Sequence, residues 1–465
     1  MKLSRKVAVI GGGVAGSTVS LFLAQQGIDV TLIEKGDSLV NGPPFCHLHA
    51  GGNLYREISL DQCESLLKQS IEFVKFYPYV VNARPTVIAV PVSDNGDPAA
   101  LERRLTHLAA FYQNLVDDDP SNAVLGKPVH YFKSYSKDDL RRLSKLSQPC
   151  DLTDLEHWLI PFSQQVDLER LKYPVYAVQE FGLSLFRVAA SIQLRSAALP
   201  NLDVKLNSEI KELHPNRNGW DVQLGDNASE FYDFVINACG FETGIIDDML
   251  DCKEERLVEF KAAYVTQWSE KNGKWPEVIF HGERGTPNGM AQLTPYADGM
   301  FQLHGMTKEI TLFRDGLAAT KNGSAQPQLP NYLINKINHG WQATIIEERG
   351  RKAIEHVAQF LPNFKTATVA GKPLFGAQQI PGRNATLRSA DVSFGHANYA
   401  RVEIVKASSS LEAAKKIYHK WFTTQRINLP GDSDKRKPIR KTDIESRARS
   451  IAKQRQYPES LAKAY

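Results

Sequence analysis

An α/β fold is predicted, in which a Rossmann-like dinucleotide-binding domain is interleaved with a substrate domain built on an antiparallel sheet. Three stretches of the 465-residue chain predict it. Lys6 to Glu34, KVAVIGGGVAGSTVSLFLAQQGIDVTLIE, reads as strand, glycine turn, helix and strand. DVKLNSEIKEL, GWDVQLGD and EFYDFVINACG are strand-like pieces that end on an apolar run and a glycine. From Leu257 to about Thr311 apolar and polar residues alternate, with an ADG turn between two of the runs.

In the first stretch Lys6 to Ile10 is the β-branched run of a buried parallel strand. Gly11, Gly13 and Gly16 satisfy G-x-G-x-x-G. The first permits the tight turn, the second lets the backbone approach a pyrophosphate, and the third lets helix and strand pack closely. Ala15, Val19, Phe22 and Leu23 recur at helical spacing until Gly27, and Val30 to Ile33 forms a second strand ending at Glu34. A carboxylate there accepts from adenosine ribose hydroxyls and disfavours a 2′-phosphate, which leaves FAD or NAD.

The loop that follows carries Cys46, His47, His49 and Tyr55 among glycines and prolines. Cys63, Leu66, Leu67, Ile71 and Val74 then mark a helix, and Thr86 to Val92 a strand. Leu101, Leu105, Leu108, Tyr112 and Leu115 mark another helix, and Ser136 with Asp139 offers a capping box. YPVYAVQEFG precedes a helix through Leu199, and a further helix is expected around Ala343 to Leu361. On this reading residues 1–94, 173–252 and 365–430 build the nucleotide domain. Residues 95–172 form a helical insertion of the substrate domain, 253–364 its sheet, and 431–465 a basic tail.

Bulk properties narrow the class. A net charge of +4 over this length gives no nucleic-acid signal, and five cysteines without a C-x-x-C pair suggest neither a disulfide framework nor a zinc site. No metal is expected. MKLSRK enters the first strand without an apolar leader and no apolar run reaches a membrane span, so a cytoplasmic protein is expected. KRKPIRK and the pattern Ile444, Arg447, Ala448, Ile451, Ala452 suggest a basic amphipathic helix. It reads first as a segment docked on its own protein, and second as peripheral contact with the inner face of an anionic membrane.

With these motifs in view, the chain resembles the FAD-dependent oxidoreductases of the D-amino acid oxidase superfamily, which includes glycine oxidase, sarcosine oxidase and dimethylglycine dehydrogenase. Besides the glycine turn, His49-Ala50-Gly51 in CHLHAGGNLY is similar to the His-Ala-Gly stretch of L-2-hydroxyglutarate oxidases and the His-Ala-Ala-Gly of dimethylglycine dehydrogenases. That stretch lies against the flavin, in the latter with a covalent His bond. DFVINACG resembles the strand ending in Ala-x-Gly that approaches the cofactor again, and VKASSSLEAAKKI the helix whose N-terminus faces the flavin pyrimidine ring. The resemblance implies an FAD-binding domain of the DAO/glutathione-reductase type, with FAD as cofactor. It implies contacts from Gly11, Gly13, Gly16, Glu34, Lys35, His49, Ala50, Gly51, Gly52, Ile210, Ala238, Cys239, Gly240, Ser408, Ser409 and Ser410. The G-x-R-P-x-T-x-D segment of many amino-acid oxidases is missing: Gly371-Lys372-Pro373 and PGRNATLR stand in its region.

The implied reaction removes a hydride from a small amine, amino acid or 2-hydroxy acid, with oxygen or a quinone as electron acceptor. A hydroxyl needs a general base, for which His49 and His304 are candidates. A carboxylate is best met by a guanidinium: Arg383 is the first choice, then Arg388 and Arg56. Tyr296 is a candidate hydrogen-bond donor to substrate. The alternatives are a flavin enzyme acting on a macromolecule such as modified RNA, and a flavin-binding protein without catalysis.

Overall fold

A computed structural model describes residues 5–42, 48–225, 229–269, 273–422 and 439–465. Cys46, His47 and most of the KRKPIRK run lie outside the described residues.

Lys6–Ile10 is flanked by Asp29–Ile33 and Phe234–Asn237, all parallel. Leu202–Lys205 and Tyr399–Val402 extend the sheet in parallel, and Val392–Phe394 closes one edge antiparallel, giving six strands. Successive side chains on a strand point to opposite faces. Val7 and Val9 accordingly join the core under the helices Val14–Gln25, Leu185–Ser196 and Ser410–Trp421. Ala8 and Ile10 instead meet Leu213, Trp220 and Val222 of a three-stranded antiparallel sheet, which covers the opposite face.

A second sheet of ten strands is organised on Arg256–Gln267, which pairs antiparallel with four others. Ala291–Pro295 and Met300–Gly305 form the hairpin that the ADG turn predicts. One face of this sheet is dry. Val87, Ala89, Ala262, Tyr264, Val278, Phe280, Leu293, Phe301 and Leu303 pack there under the helices Lys137–Leu143, Leu155–Gln165 and Ala343–Ala358. The alternating positions on the other face include Glu259, Lys261, Glu277, His281, Gln292, Thr294, Gln302 and His304, all buried. Their neighbours Ile88, Ala263 and Val265 belong to the core shared with the nucleotide domain, so this polar face looks toward that domain.

Several expected boundaries move. Thr86–Pro91 pairs with Glu277–Phe280 and Leu171–Val178 in the large sheet, not in the nucleotide sheet. Leu171–Val178 and Leu374–Pro381 join the same sheet, and the segment read as a helical insertion adds a strand, Phe132–Tyr135. A fully buried run carries no mark of which sheet it joins. The helix Lys441–Gln454 buries Ile444, Ala448, Ile451 and Ala452 against the helix Leu185–Ser196. Its apolar face is therefore occupied within the protein. Among the described residues no helix is long and apolar enough to cross a membrane.

One buried charge cluster ties the two sheets together. Asp247, fully buried, accepts from Arg256 of the large sheet at 2.6 Å and from Arg401 of the nucleotide sheet at 2.6 Å, with Tyr399 OH at 3.0 Å.

Candidate active site

The glycine turn is shaped by contact. Gly11 has φ +99°, and a Cβ there would stand 2.5 Å from the Ala238 carbonyl oxygen. A Cβ on Gly16 would stand 1.9 Å from the Gly11 carbonyl oxygen. Gly13 differs, because its Cβ would meet no atom within 4 Å. It is also the N-cap of Val14–Gln25, without a side-chain capping bond. A bare helix N-terminus facing open space is suited to a phosphate group.

Glu34 sits at the end of the second strand. Its carboxylate accepts from Gly12 N and Gly36 N, both at 2.6 Å, and further lone pairs can accept from ribose hydroxyls. Lys35 reaches outward to Glu242 at 2.6 Å. Ala238 N donates to Ile10 O at 2.8 Å and the Cys239 thiol to the same oxygen at 3.5 Å, so the third parallel strand ends beside the turn. Gly240, at φ +60°, borders open space. Ile210 is packed in the small core with Ile10 and Ile33. Arg455, just past the C-terminal helix, donates to Leu39 O and Val40 O at 2.7 Å, and Val40 N donates to Gly12 O at 2.8 Å. The end of the chain thus braces the loop over the glycine turn.

The loop from His49 to Tyr55 forms the next wall. His49 is buried at φ +58°, its ring stacked on Tyr55 at 5.7 Å. Gly51 and Gly52 are left-handed, and side chains there would strike Tyr131 and Ile58, so packing alone requires both glycines. Ala50, buried, receives a Tyr131 hydroxyl bond at 3.4 Å. Tyr55 lies between Arg388, 4.8 Å from its ring, and Lys406, which also donates to its hydroxyl.

Two residues past Lys406 come the serines. Ser409 donates to Gln69 at 2.6 Å and Ser410 to Ala407 O at 2.7 Å. The Ser408 hydroxyl is buried and has no hydrogen-bond partner among the described residues. The helix that follows packs on the helix after the glycine turn, with Tyr418 edge-on to Phe22 at 6.0 Å. The two ends of the expected cofactor site are thereby joined through one core. Open space at Gly13, a carboxylate at Glu34 and an orphaned hydroxyl at Ser408 fit a dinucleotide with a ring system at its far end.

The predicted substrate residues divide. His304 is buried on the polar face of the large sheet, its Nδ1 3.5 Å from the Thr311 hydroxyl. Tyr296, also on that face, donates to Gln302 at 3.0 Å. Arg383 is turned away: its side chain is 74% exposed and bonded to Glu255 at 2.5 Å. Gly382, left-handed at φ +73°, ends the sheet strand there, and the loop returns to the interior only at Arg388, whose side chain is 3% exposed. Arg56 is committed to Asp94 through two bonds of 2.6 and 3.0 Å.

Sequence reasoning missed the charges on the polar face. Lys261 pairs with Glu259 at 2.7 Å, and Arg284 binds the same carboxylate. Burial, opposed by Glu259 and reinforced by Arg284 and Arg388, brings the Lys261 ammonium down to about 8. Their signal was present in VEFKAAYV, where two charges at i and i+2 share one face of an apolar strand.

Glu180 was missed as well. Burial, with the Glu277 carboxylate behind it, raises its carboxyl to about 8 against the pull of Asn53 and Lys406. Asn53 faces it without a well-formed hydrogen bond, and neither oxygen has another partner among the described residues. Glu277 behind it sits in a closed network, accepting from Arg84 at 2.5 Å, Gln292 at 2.6 Å and Thr294 at 2.9 Å.

Glu180 carries a pH prediction. Its folded pKa lies above the ordinary 4.5, so the folded state holds the proton more tightly. The stability it contributes is complete below about pH 4.5, falls as pH rises toward 8 and is gone above that. Glu180→Gln is expected to remove this slope, gaining on the parent protein by a few kcal/mol, order of magnitude, as pH approaches 8. Denaturant melts of both proteins between pH 5 and 9 check it; parallel curves contradict it.

Comparison with known proteins places these features. The family model described as FAD dependent oxidoreductase (DAO) matches residues 6–55. No curated protein sequence matches the chain. Among solved structures, L-amino acid deaminase from Proteus vulgaris superposes with a TM-score of 0.58 at 12% identity, over 89% of this chain and 92% of that one. Glycine oxidase from Geobacillus kaustophilus gives 0.55 at 11%, over 88% and 93%. Dithionite-reduced L-α-glycerophosphate oxidase from Mycoplasma pneumoniae, with FAD bound, gives 0.54 at 14%, over 89% and 94%. The chain therefore has the fold of the DAO-type FAD-dependent oxidoreductases, and its first fifty residues of fold match that family's own sequence model.

Proposed function

We propose that the chain is an FAD-dependent oxidoreductase that removes a hydride from a small substrate bearing an amine or hydroxyl beside an anionic group. Its electrons pass to oxygen or a quinone. The observation that carries this reading is the polar, buried face of the large sheet, turned toward the domain that holds the glycine turn and the serines. The opposite face of the same sheet is apolar and packs under helices.

Gly13 and the N-terminus of Val14–Gln25 would hold the pyrophosphate of FAD, and Glu34 would accept from its ribose. Bound FAD supplies the hydride acceptor. The unpartnered Ser408 hydroxyl and the N–H groups of its turn would serve as hydrogen-bond donors to an electron-rich edge of the bound ring system. Arg388 and Lys261 take the substrate anion and so orient its carbon. A substrate hydroxyl gives its proton to His49 or His304, whereas an amine arriving unprotonated needs no base.

Anaerobic mixing of the purified yellow protein with panels of amino and hydroxy acids tests this. Bleaching of the flavin band by an anionic amine or hydroxy acid is the expected result. A flavin that dithionite reduces but no member of either panel does removes the substrate class, and a colourless protein removes the cofactor.

A further inference from the structure

Within the oxidoreductase reading, on which this step rests, one strained residue bears on how the nucleotide end of the site is kept closed. Val40 has φ +59° and is the only β-branched residue in the left-handed region among the described residues. The backbone crowds a β-branched side chain there, so the conformation persists only where the surroundings enforce it. Val40 and Leu39 before it are both buried. Both close on the middle of the glycine turn: Val40 N donates to Gly12 O at 2.8 Å, and a Cβ on Gly12 would stand 2.7 Å from a methyl of Leu39. The enforcing group comes from the far end of the chain. Arg455 donates through Nη1 to Val40 O and through Nη2 to Leu39 O, each at 2.7 Å. One planar fork thus grips two successive carbonyls, which a single ammonium does not reproduce.

Arg455 is itself anchored on both sides. Before it, the helix Lys441–Gln454 is packed on the helix Leu185–Ser196 of the nucleotide domain. After it, the Tyr457 hydroxyl donates to Pro373 O at 3.1 Å, and Ser460 and Lys463 each donate to Asp298 at 2.6 Å. Asp298 lies in the turn of the hairpin on which Tyr296 and His304 are found. The Tyr465 hydroxyl accepts from Trp275 N at 2.7 Å. The last residues therefore run from the nucleotide domain to the large sheet, and their guanidinium falls between the two anchorages. We propose that Arg455 is a positioning residue for FAD: by holding Val40 left-handed it keeps the Leu39–Val40 turn closed on Gly12, and so sets how long the cofactor stays bound. Without the fork Val40 returns to negative φ. Its bond to Gly12 O is then lost, and the turn opens where the pyrophosphate would lie.

The rate at which FAD leaves the full chain after dilution, followed by recovery of flavin fluorescence, tests this. Arg455→Met and Arg455→Lys are each expected to release FAD at least about tenfold faster than the parent. The Lys variant keeps the charge and the stem, so it carries the test should Arg455→Met fail to fold. Glycine adopts φ > 0 without strain, so adding Arg455→Met to Val40→Gly is expected to change the release rate by less than about threefold. Parental release from Arg455→Met or Arg455→Lys, or the same tenfold effect in both backgrounds, overturns the inference. Denaturant melts of the flavin-free parent, both single variants and the double variant read the same coupling: losing Arg455 is expected to cost less in the Val40→Gly background. Equal losses there overturn the brace whether or not flavin binds. A chain that takes no flavin at all overturns the oxidoreductase reading and leaves the melts to decide the brace.

Discussion

Asp247→Ala is expected to destabilise the protein by about 3–5 kcal/mol, among the largest effects of any single replacement in the chain. Two guanidinium groups, Arg256 and Arg401, spend their charge on this one carboxylate, and all three side chains are buried or nearly so. Removing the acid leaves the cations facing each other in the interior, where, among the described residues, Glu403, 3.2 Å from Arg256, and Glu254, 3.2 Å from Arg401, are the carboxylates that remain near. Because Arg256 begins the central strand of the large sheet and Arg401 lies in the nucleotide sheet, the loss should loosen the junction as well as the core. Denaturant unfolding measures it, and a change below about 1 kcal/mol contradicts the assignment.

Gly16→Ala should be as damaging by a different route. The added methyl would lie 1.9 Å from a backbone oxygen of Gly11, and neither strand nor helix can retreat, because Gly11 is itself pressed against Ala238. Either the turn opens or the helix shifts off the sheet, at a cost of about 3 kcal/mol or more. The expected result is a protein that is poorly soluble or flavin-free, read from yield and from the absorbance near the visible flavin band.

The parts of this molecule that were legible in the sequence are those fixed by neighbours in sequence. Strand, glycine turn, helix and Glu34 form one local unit, and each glycine turns out to have a distinct steric surrounding. The Ser136–Asp139 capping box and the ADG hairpin are local in the same sense. Pairing at long range was not legible: Thr86–Pro91 is a buried β-branched run that either sheet would accept, and its partner Glu277–Phe280 lies nearly two hundred residues away. Arg383 and Arg388 show the same limit at the site. Both follow the same strand, and only the left-handed turn at Gly382 decides which of them faces inward. Glu259 and Lys261 were visible as charges within an apolar strand, but their meaning depends on what covers that face.

If the open space at Gly13 belongs to a dinucleotide phosphate, Gly13→Ala should cost the protein its cofactor and leave its fold intact. No protein atom lies within 4 Å of the new methyl, so folding should be little affected, within about 1 kcal/mol of the parent. The methyl would occupy the space the pyrophosphate needs, so the expected result is a normally folded protein that has lost most of its FAD, measured as bound flavin per chain after gel filtration. A Gly13→Ala protein that melts with the parent and still carries a full complement of FAD would contradict it.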